Sequence, residues 1–373
     1  MLEDKIPCTV ITGFLGAGKT TLIRNLLATA NGKRIALVIN EFGDLGVDGD
    51  VLKGCGDETC TEDDIVELNY GCSCCTVADD VVPTMTKLLD RDQKPDHIVI
   101  ETSGLALPQP LVDAFNWPEI KPRVTVDGVV TVVDSAAVAA GRFAHDEAAL
   151  AAQRADDENL DHESPLEELF EDQIRCADLI VLNKTDLVDG DDLAGVRETV
   201  ERETHSGVQG SVKMVEAKGG DLPASLLIGL GMSAEDDLTS RRSHHEMQHH
   251  HHDDEDHTHH HDDHHHGHAH HHHHDHDHDD FESFVVELGD IADANAFAET
   301  LTEVIRGHDI LRLKGFASVA GKPMRLSIQA VGARVDTHFD QPWSALRSEP
   351  STRLVVIGLA GLDQDTIRTA VAG

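Results

Sequence analysis

The sequence predicts an α/β fold with a mostly parallel sheet, followed by a smaller α+β domain with an antiparallel sheet. Three observations predict it. A glycine-rich loop near the N-terminus sits between a β-branched run and a helical run. Further apolar runs of strand length then alternate with helical patterns, the rhythm of a parallel sheet whose ligand loops lie at the strand C-terminal edge. Beyond a His/Asp-rich tract the order becomes strand, helix, strand, strand, then a strand and a helix, which suits an antiparallel sheet covered on one side. The expected organisation is a parallel-sheet α/β domain over 1–240, a linker over 241–280 and a second domain over 281–373.

Cys8 to Thr12 is short, β-branched and apolar, the composition of a buried strand. It runs into Gly13-Phe14-Leu15-Gly16-Ala17-Gly18-Lys19-Thr20, a phosphate-binding loop pattern. Thr21 to Leu27 follows with apolar residues at helical spacing. Gly13, Gly16 and Gly18 let the backbone turn tightly and approach a ligand closely. The loop amides and the positive end of the helix then face one point, which suits an anion. Lys19 adds a charge for the β- and γ-phosphates, and the Thr20 hydroxyl is a candidate Mg²⁺ ligand. The candidate phosphate contacts are Gly13, Phe14, Leu15, Gly16, Ala17, Gly18, Lys19, Thr20 and Thr21.

Strands are expected at 34–40 and 63–68, with an acidic, glycine-punctuated loop over 40–50 and a helix from about 78 to 90. His97 to Glu101 is an apolar run closing on a carboxylate, followed by Thr102-Ser103-Gly104. In phosphate-loop proteins a second strand with that ending holds Mg²⁺ or its water. Glu reaches further than the usual Asp and would act through a water. Lys19, Thr20 and Glu101 are therefore the candidate catalytic set.

Strand patterns at 124–134 and 179–182 follow, and the second delivers Asn183-Lys184-Thr185-Asp186. A buried carboxylate at Asp186 can accept two hydrogen bonds from guanine N1–H and the 2-amino group. Adenine would leave it unpaired, and unpaired buried groups discriminate by ~10⁴-fold or more. Asn183 and Lys184 complete the candidate base site, which makes GTP the expected nucleotide. The plain alternative is a polar turn opening a helix. Ala217-Lys218, after a strand at 212–216, is a weaker candidate for a further base-contacting loop.

Cys72-Ser73-Cys74-Cys75 places three thiols within four residues, most simply as metal ligands with a fourth position open. A redox pair or buried structural cysteines are the alternatives. The cluster lies between the 40–50 loop and the Glu101 loop, the segments expected to respond to a γ-phosphate. GTP and metal would then shift each other's affinity by the same factor. From about His244 to Asp280 the chain collapses to His, Asp and Glu, holding 21 of the 27 histidines, with little apolar surface to bury. It reads as a disordered metal-buffering tract, the alternative being a spacer. Strands at 281–288, 310–319, 323–332 and 353–359, with helices at 294–305 and 363–371, complete the chain.

Composition excludes several classes. The formal net charge of -39 does not suit a nonspecific nucleic-acid binder, and three per cent aromatic residues leave little for base stacking. No segment approaches the ~18 uninterrupted apolar residues of a membrane span. The N-terminus lacks a secretion signal, and seven unevenly spread cysteines argue against a disulfide framework. The expectation is a cytoplasmic protein with reduced thiols, no nucleic-acid partner and no membrane partner.

Taken together, the Gly13–Thr20 loop, Asn40-Glu41-Phe42-Gly43, Cys72-Ser73-Cys74-Cys75, Glu101-Thr102-Ser103-Gly104 and Asn183-Lys184-Thr185-Asp186 resemble the CobW-type metallochaperone GTPases. Arg312-Leu313-Lys314-Gly315 and Gln329-Ala330-Val331-Gly332 extend the resemblance to the second domain of that family. It is closest to the cobalamin-biosynthesis branch. It implies Mg²⁺-GTP-dependent loading of Co²⁺, with Zn²⁺ as the alternative cargo, and delivery to a cobaltochelatase client. It also implies Cys72, Cys74 and Cys75 as cargo ligands, with Asp48 near Mg²⁺ beside Thr20 and Glu101. The family usually has Asn before the Gly-Cys pair and an apolar residue between the first two cysteines, where this chain has Tyr70 and Ser73.

Overall fold

The computed structural model describes residues 5–30, 32–40, 65–68, 77–91, 93–144, 165–204, 212–230, 281–345 and 349–373, with single positions at 146, 150, 151, 232 and 234. The strands of the first sheet are β1 (Ile6–Thr12), β2 (Ile35–Asn40), β3 (Ile65–Leu68), β4 (His97–Glu101), β5 (Val124–Asp134), β6 (Leu179–Asn183) and β7 (Lys213–Ala217). Their order is β3-β2-β4-β1-β5-β6-β7, and every pair is parallel. The sheet predicted as mostly parallel is wholly so across its described strands.

The described helices that connect and follow them are α1 (Lys19–Ala28), α2 (Val77–Leu89), α3 (Pro108–Ala114), α4 (Ser135–Ala139), α5 (Leu166–Arg175), α6 (Gly190–Thr204) and α7 (Ala224–Leu227). A parallel sheet is covered on both faces, which is why its strands read as continuous apolar runs. β4 shows this directly. Val99 points into a cluster with Leu22, Ile23 and Leu26 of α1, whereas Ile98 and Ile100 join Met85, Leu88 and Phe115 on the other face. Each of these side chains is buried, and truncating Leu22 or Ile98 to Ala would cost about 2–5 kcal/mol.

The second sheet is formed by β8 (Phe281–Leu288), β9 (Ile310–Ser318), β10 (Met324–Val331), β11 (Arg334–Pro342) and β12 (Thr352–Leu359), in the order β11-β10-β9-β12-β8. Every pair is antiparallel. Two helices, α8 (Ala294–Gly307) and α9 (Gln364–Ala372), share one core with it, built from Phe284, Leu301, Ile305, Leu313, Ile328 and Val356 among others. Asp293 caps α8 through the amides of Asn295 and Ala296, and Asp363 caps α9 through that of Thr366.

β11 is a strand that the apolar pattern does not announce. It is an edge strand of half-exposed and exposed, mostly polar residues, held by its ladder to β10 and by Val335 packing against the core. The sheet face away from α8 and α9 is only partly open. Leu311 and Val331 join the core of the first unit, and Phe281, Ile357 and Leu359 pack against it, alongside Leu222, Leu226, Leu227 and Leu230. No described helix is long and apolar enough to cross a membrane.

Candidate functional site

The C-terminal edge of the parallel sheet collects the predicted motifs. β1 delivers the glycine loop, β4 the Glu101 loop and β6 the Asn183 turn. Register sets their neighbourhood, because Ile11 of β1 and Ile39 of β2 both pair with Glu101.

The loop leaves β1 at Gly13, whose φ is 136°; a Cβ there would lie 2.2 Å from the Val132 carbonyl oxygen. Gly18, left-handed at φ 102°, is the N-cap of α1, and no side chain caps that helix. Its first amides and its positive end are left to an anion. Lys19 is only 7% exposed, and its Nζ donates to the carbonyls of Gly13 at 2.8 Å and Phe14 at 3.2 Å. The ammonium is thereby held across the loop. Phe14 anchors the outside of the loop against Phe143 and Phe170, with ring centroids 5.8 and 6.1 Å away.

The Thr20 hydroxyl donates to Glu101 Oε1 at 3.0 Å, so two of the three predicted Mg²⁺ ligands are brought together. A hydroxyl beside a buried carboxylate is a hard-oxygen donor set, which fits Mg²⁺. The strand ending in Glu101 is tied back to β1. The Thr102 amide donates to the Ile11 carbonyl, and its hydroxyl to that of Thr12, each at 3.0 Å. Gln173 of α5 donates to the carbonyls of Gly104 and Ala106 at 3.2 and 3.1 Å, holding the loop after Glu101. Gln173 carries no motif signal; a lone Gln on an acidic amphipathic helix is ordinary in sequence.

The base end is built differently. Asn183 is 1% exposed; its Nδ2 donates to the Ala17 carbonyl at 2.8 Å, and its Oδ1 accepts from the Gly220 amide at 2.9 Å. It clamps the phosphate loop to the loop after β7, and both polar atoms of its side chain are bonded to backbone. Lys184 is left-handed (φ 62°), and its Nζ lies 2.6 Å from Oδ2 of buried Asp134. Asp134 also accepts from the Ala137 amide and so caps α4. Asp134 escapes a motif reading because it is only the last residue of a strand in sequence.

Asp186 lies in a 3-10 turn, Thr185–Leu187, and is exposed, as is Leu187 at 64%. The expectation of a buried carboxylate is corrected: a turn projecting from a strand end has no neighbouring layer, which leaves Asp186 open to solvent. The predicted loop at Ala217-Lys218 closes the same end, Thr185 donating to the Ala217 carbonyl at 3.3 Å.

Asp48, Cys72, Cys74 and Cys75 lie outside the described residues, as do Cys55, Cys60 and the 244–280 tract. Among the described residues, His, Cys, Asp and Glu form no group of three or more that could hold a metal ion.

Residues 7–210 match the family model described as "CobW/HypB/UreG, nucleotide-binding domain", and residues 281–373 match "Cobalamin synthesis protein cobW C-terminal domain". The chain is 61% identical over 369 residues to "Zinc chaperone CobW" of Sinorhizobium sp., covering 99% of this chain and 97% of that protein. It is 50% identical to "Zinc chaperone CobW" of Pseudomonas aeruginosa, covering 99% and 92%. It is 29% identical to "Zinc chaperone YjiA" of Escherichia coli, covering 99% of each. With a phosphate loop, a carboxylate beside its threonine and a guanine-type turn on one sheet edge, and with both family models matched in order, the chain belongs to the CobW family of metal-chaperone GTPases.

Proposed function

We propose that this GTPase is a Mg²⁺-GTP-dependent zinc chaperone, with Zn²⁺ carried as cargo by Cys72, Cys74 and Cys75. The observation that carries the reading is topological. β3 ends at Leu68, paired with Asn40, one step past the Ile39–Glu101 pair, and α2 begins at Val77. The chain thus leaves β3 at the sheet edge that presents Glu101 and the phosphate loop, and in sequence the three thiols fall between that point and α2. That closeness in sequence supports a coupling between nucleotide state and thiol geometry.

Lys19 and the loop amides hold the phosphates, and Thr20 and Glu101, with Asp48 by family resemblance, hold Mg²⁺. When bound, Mg²⁺ neutralises charge on the β- and γ-phosphates. No described side chain is an evident general base, so we expect slow intrinsic cleavage of the terminal phosphoanhydride by water. Loss of the γ-phosphate then relaxes the flanking loops and releases the cargo to a client.

Zinc is favoured over cobalt on two grounds. The relatives of highest identity quoted above carry zinc in their names. Thiolate donors also bind Zn²⁺ more tightly than Co²⁺ in the intrinsic series. Delivery of Co²⁺ to a cobaltochelatase is the reading that the cobalamin-biosynthesis resemblance carries, and the same experiment decides between them. Purified protein is titrated with Zn²⁺ and Co²⁺ at buffered free concentrations, with Mg²⁺ and a non-hydrolysable GTP analogue. The expected result is Zn²⁺ occupancy that Co²⁺ does not displace and that Cys74→Ala abolishes. Preferential Co²⁺ occupancy would replace zinc by cobalt, and occupancy surviving Cys74→Ala but lost on deleting 244–280 would point to storage in the His tract.

A further inference from the structure

The inter-unit contact holds a buried cation that the GTPase site does not use. Arg312 of β9 is 4% exposed. Its Nη1 donates to the carbonyl of Ile228 at 2.7 Å and also to that of Ser225. Those carbonyls belong to α7 and the residue that ends it. A helix leaves its last carbonyls unpaired, and a cation at that end satisfies them. Here the cation comes from the second sheet.

What precedes α7 matters. β7 ends at Ala217 beside Thr185, and the chain reaches α7 through Lys218-Gly219-Gly220-Asp221-Leu222-Pro223. Asn25 of α1 donates to the carbonyls of Gly219 and Gly220 at 3.2 and 2.9 Å. Gly220 donates to Asn183, which donates to Ala17 in the phosphate loop. Gly220 also lies so close to α1 that a Cβ would stand 2.9 Å from the Leu22 amide nitrogen. The loop beside the base turn is thus gripped at one end by α1 and Asn183, and its downstream end is gripped by Arg312.

We propose that Arg312 is a positioning residue for nucleotide retention: by capping α7 from the second sheet, it holds the 218–220 loop on Asn183 and α1, and so sets the rate at which guanine nucleotide leaves. The second unit is then part of the exchange machinery as well as of the fold. A client or cargo event that lifts that unit off α7 would speed nucleotide release. Asp127 grips the same segment from β5, accepting from the Leu230 amide at 2.7 Å, so Arg312 controls the α7 side of the segment while Asp127 keeps its far side in place.

The test is release of a fluorescent GDP derivative from the full-length protein, chased with excess GDP. Arg312→Ala should speed release by about tenfold, the scale of a lost charge-assisted hydrogen bond. Arg312→Lys, which keeps the charge but spans the two carbonyls less well, should speed it by less. Single-turnover hydrolysis at saturating GTP should not change in either variant, because no phosphate contact is touched. Arg334→Gln breaks an inter-unit ion pair, to Asp178, without touching α7, and should leave release at the parent rate. Asn25→Ala and Arg312→Lys should combine to less than the product of their separate effects, since both act on one loop. Parental release by folded Arg312→Ala, equal acceleration by Arg334→Gln, or multiplicative effects of Asn25→Ala and Arg312→Lys would each overturn the proposal. If Arg312→Ala does not fold, Arg312→Lys and the paired variants still decide it.

Discussion

The phosphate end and the base end of the nucleotide site are built on opposite plans. At the phosphate end the polar groups are held in place by the fold alone. Lys19 is buried against Gly13 and Phe14, Thr20 is bonded to Glu101, and the loop is backed by Phe14, Phe143 and Phe170. At the base end the clamp is set by Asn183 and by the Lys184–Asp134 pair, but the reading group, Asp186, faces solvent. The difference separates two tasks. On the proposed reading, phosphate affinity would come from a preformed cradle with little reorganisation, and base selectivity would be acquired when the base itself excludes water from a carboxylate.

Breaking the preformed end should have the largest effect. Lys19→Ala removes the charge on the developing phosphate, and kcat/KM for GTP should fall by about a hundredfold or more. Steady-state phosphate release measures it, and near-parental turnover would contradict the cradle. At the base end, Asp186→Asn should weaken GDP by a comparable factor, because a carboxylate accepts two hydrogen bonds that an amide cannot both accept. The same variant should gain affinity for xanthosine diphosphate, whose C2 carbonyl can accept from the new amide. A competition titration with both nucleotides reads the exchange, and an unchanged preference would mean that Asp186 does not meet the base.

Asn183→Ala should fall between the two ends. It strips one donor and one acceptor from buried backbone partners, costing about 1–3 kcal/mol of stability, and should weaken all guanine nucleotides alike. Thermal melting and GDP titration together report it; a loss confined to one base would place Asn183 on the base edge.

Much of this site is legible in the sequence, and the reason is local. The phosphate loop, the Glu101 strand and the Asn183 turn each place their chemistry within a few residues of an apolar strand end. Their geometry follows from the strand itself. What is not legible is what ties the loops to each other. Gln173, Asp134 and Asn25 act across the chain, for example Gln173 on Gly104 and Asn25 on Gly220. No period or spacing marks such a residue. β11 escapes for a related reason: an edge strand owes its place to a ladder, and most of its side chains remain polar. Helices α5 and α6 did carry signals, the apolar Leu166, Leu169, Phe170 and Ile174 in one and Asp189 before the other, whose carboxylate accepts from the Asp192 amide at 2.9 Å. They sit in acidic surroundings that mask the pattern.

β4 offers a test away from both ends, because it opens with a histidine and closes with Glu101. His97 is buried, its Nε2 2.8 Å from the Thr9 hydroxyl and 3.9 Å from Asp127. Burial lowers its pKa from 6.5 to about 4, against the opposing pull of Asp127. The folded protein thus keeps His97 neutral where the unfolded chain would protonate it. Stability is full above pH 6.5 and falls as pH drops from 6.5 towards 4, by roughly 3 kcal/mol in all. Melting curves across that range should be less steep in pH for His97→Asn than for the parent. Parallel curves would mean that this imidazole is not kept neutral by the fold.

The central claim is that nucleotide state and zinc affinity are two readings of one sheet edge. Zn²⁺ affinity is measured against a calibrated chelator, with Mg²⁺ and either a non-hydrolysable GTP analogue or GDP. The account predicts tighter Zn²⁺ binding with the triphosphate, by about tenfold or more, and a matching gain in triphosphate affinity when Zn²⁺ is present. Equal Zn²⁺ affinity with both nucleotides would contradict it.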